Sequence, residues 1–307
     1  MSTWFSATAV VPRLRAEWAL SDGSAAWLTI AVQLGFVVGA LVSSFLNLTD
    51  IFSARRVILV GATGAAVMNL GLVVASGPGT AVPLRAATGM FLAAVYPPPL
   101  KLMATWFTKG RGLALGALVG AIAIGSALPH LVNAGGGLEW RVVVAVTSGL
   151  TLAGGLIGGL VVPEGPFPFP RARFDPRAVG AVLRDPGVRL ASLGYFGHMW
   201  ELYAMWAWIL VFFTASFGAA DPAARGPSVA AFVVIVVGAV GCLLGGVLGD
   251  RWGRENTTIS MMVVSGACAL SIGYGSSSSG VRRDGSHPSA RHRVHAYRCH
   301  HLASAAP

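Results

Sequence analysis

The chain has 307 residues, of which 54% are hydrophobic and only 11% charged, with a mean hydropathy of +0.68. That is too little charge to solvate a water-soluble domain of this length, which excludes one. The formal net charge of +10 reflects topology plus a basic tail, and no basic cluster comes with stacking aromatics on a soluble module, so it does not read as a nucleic-acid surface. An apolar run of about 20 residues crosses a hydrocarbon core of roughly 30 Å as a helix. The alternating period of a membrane β-barrel is missing, leaving an all-α integral membrane protein.

In chain order, the first apolar run, residues 4–11, stops at Pro12 and is too short to cross. It reads as the outer half of a first helix whose inner half is absent. No basic residue precedes it, which argues against a cleaved signal peptide. About eight complete spans follow, near 25–46, 57–76, 84–107, 112–134, 141–162, 190–214, 228–248 and 257–275. Basic residues fall on alternate connections: Arg55 and Arg56, Lys109 and Arg111, the arginines between 171 and 189, then Arg251 and Arg254. By the positive-inside rule that side is cytoplasmic, which predicts a multi-pass protein of the plasma membrane. The opposite connections carry Arg13, Arg15, Arg141 and Arg225, each with an acidic residue nearby.

The longest connection, residues 163–189, is rich in proline and arginine (PEGPFPFPRARFDPR). Such a segment stays extended and cannot continue a helix, so it separates two bodies able to rock. The expected organisation is a six-helix half over 1–162 with a partial first helix, a cytoplasmic linker over 163–189, three helices of a second half over 190–275, and a basic tail over 276–307. The tail (SSSSGVRRDGSHPSARHRVHAYRCHHLASAAP) has no apolar run able to span and reads as a disordered, replaced or frame-shifted terminus. His295, Cys299, His300 and His301 lie there without designed metal spacing, and Cys242 and Cys268 sit in apolar helices, so no metal site and no cofactor are expected. A metalloprotein that uses the histidine tail is the outlying alternative. No phosphate-binding loop of the GxxxxGK type occurs, and no enzyme motif stands out.

A short charged turn recurs. Residues 245–255 read GGVLGDRWGRE, and residues 50–56 read DIFSARR, each after the second span of its half. Glycine permits a sharp turn and close helix approach, and a carboxylate at the membrane surface can pair with arginine or with a helix N-terminus. The alternative is a turn of solvated charges. On these residues the chain resembles the major facilitator superfamily of secondary transporters over most of 4–275. Its loop signature, a glycine four positions before Asp-Arg-x-Gly-basic, is matched by Gly246, Asp250, Arg251, Gly253 and Arg254. The first copy is degenerate, with Leu46, Ile51 and Ser53 at signature positions, and keeps Asp50, Arg55 and Arg56. The resemblance implies a conformational latch, in which Asp250 faces the helix starting near Gly110 and Gly112 while Asp50 faces an eleventh helix. It also implies a twelve-helix bundle, of which this chain lacks the last three helices.

Arg85 and Gly89 in RAATGMFLAAVYPPP resemble the family's RxxxG helix signature, whose arginine is implicated in proton coupling. Either Arg85 serves in that way or it snorkels to the outer interface. Pro97, Pro98 and Pro99 must break or kink this helix. Lys101, just after the break, either faces the bundle interior or snorkels to the cytoplasmic side. His198 and Glu201 are three apart on one helix face, and with Tyr195 form a polar stripe that binds a proton or solute, or else fixes packing. Gly112, Gly116 and Gly120 recur every four residues, which suits close helix packing, and His130 is expected at the outer interface.

The expected function is secondary active transport of a small solute by alternating access, coupled to an ion or proton gradient as in a symporter. The candidate lining is Arg85, Lys101, His198 and Glu201. Its positive groups suit an anion, and the YPPPLKLMATWF and RGLALGALVGA stretches resemble, more loosely, cyanate- and nitrate-type carriers. The partners are a small solute and the lipid bilayer, with no nucleic acid, and the chain is expected to work as a monomer. The alternative is a truncated, non-transporting remnant of such a carrier.

Overall fold

A computed structural model of the chain describes residues 1–135, 139–167, 180, 184–217 and 225–279. The readings placed on most of the 163–189 linker, and on the tail beyond 279 with its histidines, lie outside the described residues. Among the described residues every regular element is a helix. The helices are α1 (Ser2–Trp18), α2 (Asp22–Phe45), the single turn α3 (Leu48–Ile51), α4 (Ala54–Leu70, extended by a 3-10 turn Gly71–Val74), α5 (Pro78–Leu92) and α6 (Pro97–Ala104). Then come α7 (Arg111–Asn133), α8 (Trp140–Leu156, extended by a π turn Ile157–Val161), α9 (Pro186–Ser216), α10 (Arg225–Arg251) and α11 (Arg254–Ser279).

Six of these segments are long and apolar enough to cross a membrane: Asp22–Phe45, Ala54–Val74, Arg111–Val132, Trp140–Val161, Pro186–Ser216 and Arg225–Arg251. Their outward faces are apolar. Leu190, Trp200, Trp208, Val60 and Val237 are each 60% exposed or more, a surface that is unfavourable in water and suited to lipid.

Two expectations about single helices change. The first helix does not stop at Pro12. It continues to Trp18 and closes on Ala19 in the left-handed region, φ 47°, with Leu20 N donating to Arg15 O at 3.2 Å. Proline costs one helical hydrogen bond, but Trp4, Phe5, Val10 and Leu14 are all buried, and that packing holds the helix across the defect. At about 1.5 Å per residue α1 is about 25 Å long, still short of a full crossing. The span read near 84–107 is two helices, α5 and α6, joined through Ala93–Tyr96. Pro97, Pro98 and Pro99 have no N–H to offer the carbonyls of residues 93–95, so the ladder ends there. The chain tightens first, with Ala94 N donating to Phe91 O and Val95 N to Leu92 O.

Helix starts follow local chemistry. Ser21 accepts from Ser24 N, Ser53 from Arg56 N, and Asp185 from Val188 N with Pro186 following. Helix pairs approach where glycine removes the side chain. A Cβ on Gly35 would lie 1.9 Å from Ala86 O, one on Gly39 2.3 Å from Met90 O, and one on Gly89 2.0 Å from Val32 O. The α2–α5 crossing is therefore backbone against backbone, a contact that rewards small residues in lipid.

The buried core has two parts. One gathers Val10, Leu14, Leu28, Leu72, Trp140, Val143 and Val144 around the far end of α1. The other joins Trp4 and Phe5 of α1 to Val32, Leu92, Ala123 and Ala127, and to Trp206, Ile209, Leu210, Ala231 and Ile235 of α9 and α10. Helices on both sides of the linker thus share one core. By its contacts the chain groups into a unit of residues 1–257 and a second unit that begins at Thr258.

Candidate functional site

The second copy of the charged turn ends α10. Gly253, at φ +89°, turns the chain into α11, a backbone that glycine adopts without strain. Asp250 sits in the last turn of α10, and its carboxylate reaches the start of α7: Oδ1 accepts from Gly112 N at 3.0 Å and Oδ2 from Leu113 N at 3.1 Å. Gly110, at the head of α7, has φ +66° and no side chain with which to cap. Asp250 supplies that cap from another helix, placing a full negative charge on the positive end of the helix dipole. Two glycines make this approach sterically open. A Cβ on Gly112 would lie 2.6 Å from both Asp250 Oδ1 and Gly246 O, and one on Gly246 would lie 2.5 Å from Gly112 O. The same crossing continues through Gly116, whose Cβ would meet Cys242 O at 2.4 Å, and Gly120, which faces Ala239. Arg251 and Arg254 lie exposed beside the turn.

The first copy is arranged otherwise. Asp50 Oδ1 accepts from Lys101 Nζ at 2.5 Å, with both side chains partly exposed. Asp50 therefore finds its partner on α6, within its own half, where the resemblance had it face an eleventh helix. Lys101 points neither to the bundle interior nor freely to solvent, because the turn carboxylate fixes it. Arg55 donates from Nε to Gly159 O at 3.2 Å and from Nη2 to Leu160 O at 2.7 Å, closing the last turn of the α8 extension. Arg56 is exposed. The end of α6 also receives the start of the linker: Gly165 N donates to Thr105 Oγ1, Phe167 N to Thr105 O, and Trp106 Nε1 to Pro163 O.

Arg85 lies in the interior and does not snorkel. Because α5 begins at Pro78, Arg85 is about two turns inside it and is fully buried. Its guanidinium donates from Nε to Leu28 O (3.1 Å), from Nη1 to Thr3 O (2.8 Å) and Asn69 Oδ1 (3.1 Å), and from Nη2 to Trp4 O. Asn69 Oδ1 also accepts from Ser6 Oγ at 2.8 Å, while its Nδ2 donates to Ser148 Oγ at 2.9 Å. Ser2 Oγ donates to Thr147 O and shares a hydrogen bond with Thr151 Oγ1. This node ties α1, α2, α4, α5 and α8 around one buried cation whose acceptors are neutral. Dipoles that surround a buried charge offset part of its desolvation, and losing any one of them is expensive.

His198 and Glu201 stand on α9, both half-buried, with Tyr195 exposed and Trp200 more so. The same helix sends Tyr203 and Trp206 inward. Tyr203 stacks on Trp4 at 5.8 Å between ring centroids, and Trp206 meets Phe5 edge-on at 5.3 Å. Phe36 of α2 closes on Trp4 at 5.0 Å, and Tyr96, at the α5–α6 break, lies 6.4 Å from Phe36. His130 is not interfacial: it is 1% exposed, because its face of α7 turns to the bundle with Ser126 and Ala127.

The sequence reading missed Asn69 with its serine and threonine partners, the inward rings of α1, and the α2–α5 glycines. Only the glycines carried a signal, in the GFVVG spacing of Gly35 and Gly39.

Comparison with known proteins agrees with this architecture. The chain is 34% identical over 160 residues to puromycin resistance protein pur8 of Streptomyces alboniger, covering 50% of this chain and 31% of that protein. It is 28% identical over 211 residues to the probable actinorhodin transporter of Streptomyces coelicolor, covering 65% and 35%. It is 30% identical over 175 residues to the multidrug efflux pump LfrA of Mycolicibacterium smegmatis, covering 55% and 34%. In each case the matched stretch is about a third of the relative's length. The profile of the Major Facilitator Superfamily matches residues 1–282, and the chain belongs to that superfamily of membrane transporters.

Proposed function

We propose that the protein is a secondary active transporter of the plasma membrane, moving a small organic solute by alternating access and drawing on an ion or proton gradient. The observation that carries this reading is the Asp250 carboxylate on the Gly112 and Leu113 amides. It joins a helix on one side of the linker to a helix on the other, on the face with the denser arginines, and it exists only while α7 and α10 touch there. A bond of that kind favours one conformer and is released in the other. The two rocking bodies are residues 1–162 and 190–275, with 163–189 joining them. Arg85, whose charge no carboxylate in its node neutralises, is the group best placed to respond to a proton or a charged solute. His198 and Glu201 are the remaining polar candidates.

The anion reading drew on Arg85 and Lys101. Arg85 is engaged by three carbonyls and an amide, and Lys101 by Asp50, which weakens the case for a small inorganic anion of the cyanate or nitrate kind. The wall where α1, α2 and α9 meet is aromatic, and relatives named for puromycin resistance, actinorhodin transport and multidrug efflux support an organic solute.

The test is flux in proteoliposomes that hold the purified chain, with 1-pyrenesulfonate, a flat aromatic solute with oxygen acceptors, as probe and an imposed pH gradient. Gradient-dependent movement is expected, reduced about tenfold by Asp250→Ala, which removes a charged cap contributing about 1.5–3 kcal/mol. A well-folded preparation that moves no probe under any gradient overturns the reading.

A further inference from the structure

We infer that the aromatic cluster where α1, α2 and α9 meet binds a flat aromatic solute through an oxygen atom that accepts the Trp4 indole N–H. The inference rests on the transporter reading and gives its solute a chemical class. Trp4 is 4% exposed, and its Nε1 is one of two buried side-chain polar atoms among the described residues that have no hydrogen-bond partner. An indole nitrogen only donates, and a buried tryptophan ordinarily satisfies it. Leaving a buried donor unmade is costly, so an acceptor supplied from outside the chain is favoured.

Those rings set the shape of the occupant. Trp4 meets Phe36 edge-on at 5.0 Å and Tyr203 face-on at 5.8 Å, and Tyr203 meets Trp206 at 6.0 Å with their planes 71° apart. A planar aromatic body can replace any of these contacts at offset or edge-to-face spacing. Charge favours an oxygen acceptor here, because the Trp4 carbonyl takes Arg85 Nη2. The guanidinium thus stands behind the residue whose N–H is offered, and its positive potential stabilises a carbonyl, phenolate or carboxylate oxygen.

The experiment is equilibrium binding of 9-fluorenone and of fluorene, which differ by one carbonyl oxygen, to the full chain in nanodiscs, with empty nanodiscs subtracted. Fluorenone is expected to bind about tenfold tighter, the ratio for one net hydrogen bond. Trp4→Phe keeps a ring but removes the N–H and brings the ratio to within about twofold. Trp206→Leu weakens both probes and leaves the ratio unchanged. A ratio near one in the native chain overturns the inference even where Trp4→Phe does not fold, and so does a ratio that survives Trp4→Phe. Fluorenone preference without gradient-driven flux upholds this site and overturns the transport reading. Flux with no dependence on Trp4 does the reverse.

Discussion

Two copies of one charged turn end with their carboxylates in different chemical company. Asp250 binds two backbone amides at the head of a helix across the linker, whereas Asp50 binds a flexible ammonium on its own side. The two turns differ at the position four residues before the aspartate. Gly246 lets α10 come to backbone contact with α7, so a short side chain reaches the amides. The first copy has Leu46 there, more than half exposed at the end of α2, and no such approach occurs. A longer partner, Lys101, bridges the gap. A degenerate signature has thus kept its charge and lost the geometry that made the charge a cap.

The contrast is broken most severely by Gly112→Val. Its side chain would enter the space of Asp250 Oδ1 and the Gly246 carbonyl, backbone that cannot move aside, and a loss of about 1–3 kcal/mol is expected from overpacking alone. Leu46→Val in the first copy is expected to stay within about 0.5 kcal/mol. Thermal unfolding in detergent should separate the two by several degrees, and equal midpoints would remove the steric account.

Next in size is Asp250→Asn, which keeps one acceptor and loses the charge, so about half of the stabilisation by a charged hydrogen bond is lost. Amide exchange is the sharper measure. Gly112 and Leu113 should exchange about tenfold faster in the variant, while amides near Asp50 do not change. Unchanged exchange at Gly112 would show that the cap contributes nothing.

Smallest is the Asp50–Lys101 pair. A double-mutant cycle with Asp50→Asn and Lys101→Met should give a coupling below about 1 kcal/mol, because both groups are partly exposed, and it should shrink as salt rises. A larger coupling, insensitive to salt, would mean that the pair is shielded and that the two turns are equals after all.

Much of this was open to a reader of the chain. Apolar runs of membrane length locate helices because lipid gives backbone groups no other partner, and the proline triplet announces the α5–α6 break because proline has no N–H. The glycines of α7 lie against a neighbouring helix, as their four-residue spacing suggests, whereas the facing of Asp250 to that helix was implied only by the family resemblance. Other features were not legible, for an identifiable reason. Hydropathy separates lipid from water but does not say which side of an apolar helix meets another helix. Arg85 and His130 therefore read as residues near helix ends, although both are buried, and Pro12 read as a stop although packing carries α1 through it.

The sequence alone determined that the chain is helical and lipid-embedded, and that one charged turn kept a complete glycine and charge pattern while the other did not. Each follows from local chemistry: transfer energy, missing N–H groups, and the space left where a side chain is absent. Only the tertiary structure decided that Asp250 caps α7, that Lys101 belongs to Asp50, that Asn69 orients Arg85, and that the Trp4 indole N–H is buried without an acceptor. Those are pairings between residues far apart in the chain, and a polar group's partner depends on which helices cross, which no local preference encodes.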